Sequence, residues 1–177
     1  MKESVSPAVT ISESPVAPAT KSADDLSDLL RSDAVLAHLS VPNKKVLFQQ
    51  VGAIAGKAVG VEPKLIVERL TDRERLGSTG FGEGVAIPHG KIEGLDHVVG
   101  LFVRLASPID FNAIDEMPVD LVFVLLSPPQ SGVEHLKALA RVSRRLRDRG
   151  FVAKLRGAGT EDALYALFVA GDARHAV

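Results

Sequence analysis

Residues 121–126 read Leu-Val-Phe-Val-Leu-Leu, and Ser127-Pro128-Pro129 follows at once. An uninterrupted apolar run closed by turn residues predicts a central strand covered on both faces. Such a strand needs neighbours along its edges and helices above and below. That requirement points to a single layered α/β domain, a mixed β-sheet flanked by helices. The run is far short of the roughly 20 residues that cross a bilayer, so no membrane insertion is expected.

The rest of the chain can supply those layers. Leu47, Val51, Ile54, Ala55 and Ala58 recur at helical spacing after Pro42, and Gly60 provides a stop. Pro63 suits the first position of a second helix, which runs to about Arg75 with Ile66 and Leu70 inward. Val99, Leu101, Val103 and Leu105 alternate, which predicts a half-buried strand over 98–105. Ser131-Gly132-Val133-Glu134 has the form of a capping box. The helix it opens is expected to bury Leu136, Leu139, Ala140 and Leu146 and to end at Gly150. A last helix is expected from Thr160, with Glu161 and Asp162 near its positive end.

Residues 1–23 stand apart. Ser, Thr, Pro and Ala fill 14 of these 23 positions, and Leu, Phe and Tyr are missing. Too little apolar surface is available there to offset the entropy of ordering, so a flexible tail is expected before a domain spanning 24–172. The early residues lack the apolar core of a secretory signal, and a cytoplasmic protein is expected. Lys plus Arg total 21 against 22 Asp plus Glu, a formal charge of −1. That balance argues against a nucleic-acid binder, which normally carries a basic excess. With no Cys in the chain, disulfides, thiolate metal sites and cysteine nucleophiles are excluded.

Between the second helix and the strands periodicity vanishes, and residues 77–94 hold six of the chain's 15 glycines. Val85-Ala86-Ile87 reads as a short strand inside this loop. The loop is not a P-loop: five residues rather than four separate Gly84 from Gly90, and Ile92 stands where Ser or Thr is needed. What it does contain is Ile87-Pro88-His89-Gly90, an imidazole at the end of an apolar run. Imidazole titrates near neutrality and can act as a nucleophile without a strong base. Gly90 leaves room for another molecule to approach.

Arg73 and Arg75 enter the loop from the preceding helix, where either could neutralise a phosphoryl or carboxylate group or simply complement the helix dipole. His135 falls in the first turn of the capped helix, a setting that suits a neutral donor facing an anion. His38, His97 and His175 have no comparable context. Arg141–Arg156 carries seven basic residues and one acid, Asp148, and is expected to be a solvated helical face.

Arg73-Glu74-Arg75-Leu76-Gly77-Ser78-Thr79-Gly80, followed by Ala86-Ile87-Pro88-His89-Gly90-Lys91, resembles the signature of the fructose/mannitol-type enzyme IIA domain of the bacterial phosphotransferase system. The nitrogen-regulatory branch is the nearest. The resemblance covers about residues 26–170, with Pro108-Ile109-Asp110-Phe111 and Pro118-Val119-Asp120-Leu121 included. It implies that His89 accepts a phosphoryl group, that Arg73 stabilises it, and that His135 is the second active-site histidine. It also implies a mixed sheet flanked by helices, no cofactor, and a small HPr-like phosphocarrier protein as donor. Regulatory members act on target proteins, unknown here, through their phosphorylation state, whereas sugar-transporting members pass phosphate to a IIB domain. The Ser/Pro-rich tail departs from the family pattern. No stretch resembles a IIB or membrane IIC domain, which favours the regulatory branch. Phosphoryl transfer of this kind needs an in-line nucleophile and charge stabilisation, and the set requires no metal.

Overall fold

The run at 121–126 lies at the centre of a six-stranded sheet in the computed structural model, which describes residues 22–170. Residues 1–21 of the expected tail, the last two of the expected domain, and His175 lie outside the described residues. The elements in order are β1 (Leu30–Leu39), α1 (Lys44–Val59), α2 (Pro63–Arg75), β2 (Gly80–Gly82), β3 (Val85–Ala86), β4 (His89–Lys91), β5 (Val99–Ile109), β6 (Val119–Ser127), α3 (Gly132–Arg147), α4 (Arg149–Gly157) and α5 (Glu161–Val169).

β6 pairs antiparallel with β5, from Val99 opposite Leu126 to Ile109 opposite Val119. Its other edge is shared by two short parallel strands, β3 against Leu121 and Val122, and β4 against Leu125 to Ser127. Pro88, which has no N–H to give a ladder, sits between them and still accepts from Leu125 N through its carbonyl. β1 runs parallel to β5, and β2 antiparallel to β3, completing the mixed sheet.

Side-chain alternation sorts the core into two layers. Leu101 and Val103 of β5, with Val122, Val124 and Leu126 of β6, pack against Leu47, Val51, Ile66 and Leu70 of α1 and α2. Phe102, Leu121, Phe123 and Leu125 face the other way onto α3, α4 and α5. There Phe168 meets the rings of Phe102, Phe151 and Phe123 at 4.7, 5.3 and 5.7 Å. No described helix is long and apolar enough to cross a membrane.

Several expectations need correction. β5 is not half-buried: Val99 to Leu105 are covered on both faces, because α3–α5 need a surface as much as α1 and α2 do. The glycine-rich stretch contains three strands rather than one, β2 and β4 being too short and glycine-rich to show a period. β1, with its irregular register, likewise carried no readable alternation.

α3 is rotated by about one residue from the expected face. It buries His135, Ala138, Val142, Arg145 and Leu146, while Leu136 is exposed. Its capping box does not form, since Ser131 Oγ donates to the Pro128 carbonyl instead. Gly150 does not end the helix. The chain breaks at Asp148, whose side chain caps α4 by accepting from Phe151 N.

The basic run is only partly a solvated face. Arg141 pairs with Asp28, Arg149 with Glu83 and Arg156 with Asp120. Arg145 is buried against the Phe151 ring.

Candidate functional site

Three chain segments meet beside the lower half of β6. Pro63 starts α2 at its first turn, and the helix delivers Arg73 in its last turn. Pairing of His89 with Leu125 fixes the histidine as the first residue of β4. The turn after β6 leads directly into α3, whose first turn holds His135. α2 can lie this close to β4 because Gly90 has no side chain: a Cβ there would stand 3.3 Å from Arg69 Cβ. The space left by Gly90 is therefore used first by the chain's own helix, and Gly90 also lines the open cleft beside His89.

The His89 ring is held at both nitrogens. Its Nδ1 lies 2.8 Å from the Ile87 carbonyl, an acceptor only, so the ring proton resides on Nδ1. Nε2 therefore keeps its lone pair, which accepts from Arg73 Nε at 3.0 Å. Arg73 also donates to the Gly77 carbonyl at 2.9 Å. No carboxylate among the described residues pairs with Arg73. Arg75 turns away to Asp72, so only one of the two arginines that enter the loop reaches the imidazole.

His135 stands with its ring centroid 5.5 Å from that of His89. It is buried, and Ser127 Oγ lies 2.6 Å from its Nδ1. Burial lowers the pKa of both histidines from the ordinary imidazole value. Arg73 adds to the effect at His89, where the Ile87 carbonyl and Glu74 oppose it, and His89 and Lys91 add to it at His135. Both rings are therefore neutral near pH 7.

The two histidines open onto a cleft of about 600 Å³ that Arg69, Asp72, Arg73 and Lys91 also line. No group of three or more potential metal ligands occurs among the described residues.

Glu74 and Ser127 carry parts of the site that the sequence reading did not assign. Glu74 accepts from Thr79 N at 3.1 Å, Thr79 Oγ1 at 2.6 Å and Lys44 Nζ at 2.9 Å. Ser78 Oγ donates to the Phe111 carbonyl at 2.7 Å. These bonds lock residues 76–79, and with them the Gly77 carbonyl that holds Arg73. An acid set between two arginines is a visible signal for such a tether; Ser127, lost at the end of an apolar run, has none.

Comparison with known proteins places this geometry in context. Residues 28–170 match the family model described as phosphoenolpyruvate-dependent sugar phosphotransferase system, EIIA 2. A nitrogen regulatory protein of Bradyrhizobium diazoefficiens is 46% identical over 142 residues, 80% of this chain and 93% of the relative. The crystal structure of nitrogen regulatory protein IIA-Ntr from Neisseria meningitidis superposes with a TM-score of 0.76 at 32% identity, covering 80% of this chain and 97% of that one. Mannitol enzyme IIA of Escherichia coli, solved in complex with phosphorylated mannitol enzyme IIB, has a TM-score of 0.66 at 21% identity, covering 79% and 98%. This last likeness is one of fold.

Proposed function

Because the chain belongs to the EIIA 2 family of the phosphoenolpyruvate-dependent sugar phosphotransferase system, we propose that it is a phosphohistidine carrier loaded on His89 by an HPr-like phosphocarrier protein. One observation carries this reading: an imidazole lone pair at His89 Nε2, presented to an open cleft and capped by a guanidinium that has no carboxylate partner among the described residues.

In the transfer, Nε2 attacks phosphorus in line as the bond to the donor's leaving atom breaks. The His89 ring gains positive charge, and its Nδ1–H stays on the Ile87 carbonyl. Arg73 releases the Nε2 lone pair and takes up phosphoryl oxygens in its place, the planar fork matching their geometry. His135, neutral and at the start of α3, supplies a further hydrogen bond. This division suits a step in which the protein contributes positioning and charge stabilisation and little else.

The regulatory branch is favoured by the likeness to nitrogen regulatory proteins over most of both chains. In this reading the phosphorylation state of His89 alters binding to cytoplasmic target proteins. A second reading, a IIA component of sugar uptake that passes phosphate to a IIB domain, draws on the mannitol complex.

The test is incubation with a phosphorylated HPr-like protein followed by intact-mass measurement. One phosphoryl group is expected, acid-labile and alkali-stable as a phosphoramidate is. Equal uptake by His89→Ala overturns the assignment. Onward transfer to a IIB domain selects the second reading over the first.

A further inference from the structure

Transfer as described uses His89, Arg73 and His135 but leaves one buried hydroxyl of the site unexplained. Ser127 closes β6, is fully buried, and has His135 Nδ1 as its hydrogen-bond partner among the described residues, at 2.6 Å. Two arrangements fit that distance. If Nδ1–H donated to Oγ, the hydroxyl hydrogen would be left inside the protein with no acceptor, which is the costly way to bury a donor. If instead the hydroxyl donates to the Nδ1 lone pair, no polar hydrogen is stranded and the ring proton must reside on Nε2. Nδ1 being engaged inside the protein, Nε2 is the ring nitrogen left for the cleft.

The contrast with His89 makes the consequence plain. A carbonyl, which can only accept, faces Nδ1 of His89 and leaves Nε2 with a lone pair. A hydroxyl, with a hydrogen to give, faces Nδ1 of His135 and leaves Nε2 with a proton. Two imidazoles with centroids 5.5 Å apart are thereby set to opposite tasks, one to attack and one to donate. We propose that Ser127 is a positioning residue that sets the tautomer of His135, so that His135 Nε2–H donates to the phosphoryl group carried by His89. The inference rests on the reading of His89 as the phosphoryl acceptor, and it names the residue that makes His135 a donor.

The test has two arms. In the unphosphorylated full-length protein, imidazole 15N shifts read the tautomers directly. His89 is expected as the Nδ1–H form and His135 as the Nε2–H form. Ser127→Ala is expected to mix the two forms at His135 and leave His89 unchanged, while Ser127→Thr, which keeps the hydroxyl, restores the Nε2–H form. In the second arm, Ser127→Ala slows phosphoryl exchange with a phosphorylated HPr-like protein by about tenfold, the size of one net hydrogen bond. The same change in a His135→Ala background adds no further loss.

An Nδ1–H form of His135 in the wild-type protein overturns the inference without any variant. So does an unchanged tautomer in Ser127→Ala, or an equal loss of rate in the His135→Ala background. Failure of the wild type to take up phosphate sinks the reading of His89 instead, a result that the intact-mass measurement delivers separately from the 15N spectra.

Discussion

The end of α2 and the stretch 141–156 are both rich in arginine, and they use it in opposite ways. Along 141–156 four of the seven cations are matched to the fold: Arg141 to Asp28, Arg149 to Glu83, Arg156 to Asp120, and Arg145 to an aromatic face and the Leu167 carbonyl. Among the described residues Arg73 donates only to an imidazole and a backbone carbonyl. A guanidinium already neutralised by a carboxylate has little left for a ligand. One held by neutral acceptors keeps its full charge available. Arginine density therefore does not single out the cleft beside His89, whereas the partner of each arginine does.

The sharpest way to break that comparison is at the imidazole itself. His89→Ala is expected to abolish phosphoryl uptake, read as the absence of any mass increase after exposure to a phosphorylated HPr-like protein. Next in size, Arg73→Ala should slow uptake by about 10²–10³, the usual cost of losing one preorganised donor to the transferring group. Arg73→Lys should not restore the rate, since an ammonium lacks the fork. Thermal unfolding of both variants should stay near wild type; a rate unchanged in Arg73→Ala would remove the distinction drawn between the two groups of arginines.

Arg104 offers the converse. Buried in β5, it donates to the carbonyls of Leu155, Arg156 and Ala158 at the end of α4, and to His38 Nε2. Arg104→Met strands those acceptors and should cost about 3 kcal/mol in denaturant unfolding, with uptake at low temperature intact.

A smaller effect follows from the depressed histidines. Folded His89 and His135 bind fewer protons than the unfolded chain wherever pH lies below the ordinary imidazole value of about 6.5 and above their lowered values. Stability is complete above that window and falls as pH drops through it. His89→Gln should flatten the decline of the melting temperature between pH 7 and 5. Smallest of all, Arg149→Ala removes an exposed pair with Glu83 and should change unfolding by less than about 0.5 kcal/mol.

Legibility in the sequence followed how local each signal was. The central strand, the two N-terminal helices and the start of α5 could be read because a run, a proline at the first turn and a threonine cap act within a few residues. α3 misled because its face is chosen by the site: burying His135 turns Leu136 outward to an exposure of 65%, against what apolar periodicity predicts. The capping serine was drawn off by the Pro128 carbonyl, a partner created only by the turn. Arg73 and His89 could be singled out through a long motif of fixed spacing and His135 through its place at a helix start, and the structure brings all three to one cleft. Glu74 and Ser127 were not, because their partners, Lys44 and Thr79 for one and His135 for the other, are set by tertiary pairing.

The placement of His89 inside β4 carries a consequence for any protein that reads its state. Its backbone is locked between the register with Leu125 and the flank of α2 at Gly90. Loading His89 as proposed, with Nδ1–H kept on the Ile87 carbonyl, would set a dianionic phosphoryl group beside an imidazolium, a net change of about one negative charge at this spot. A listener that tells the two forms apart would then have that charge to weigh. Its discrimination should fade as added salt shortens the reach of that charge.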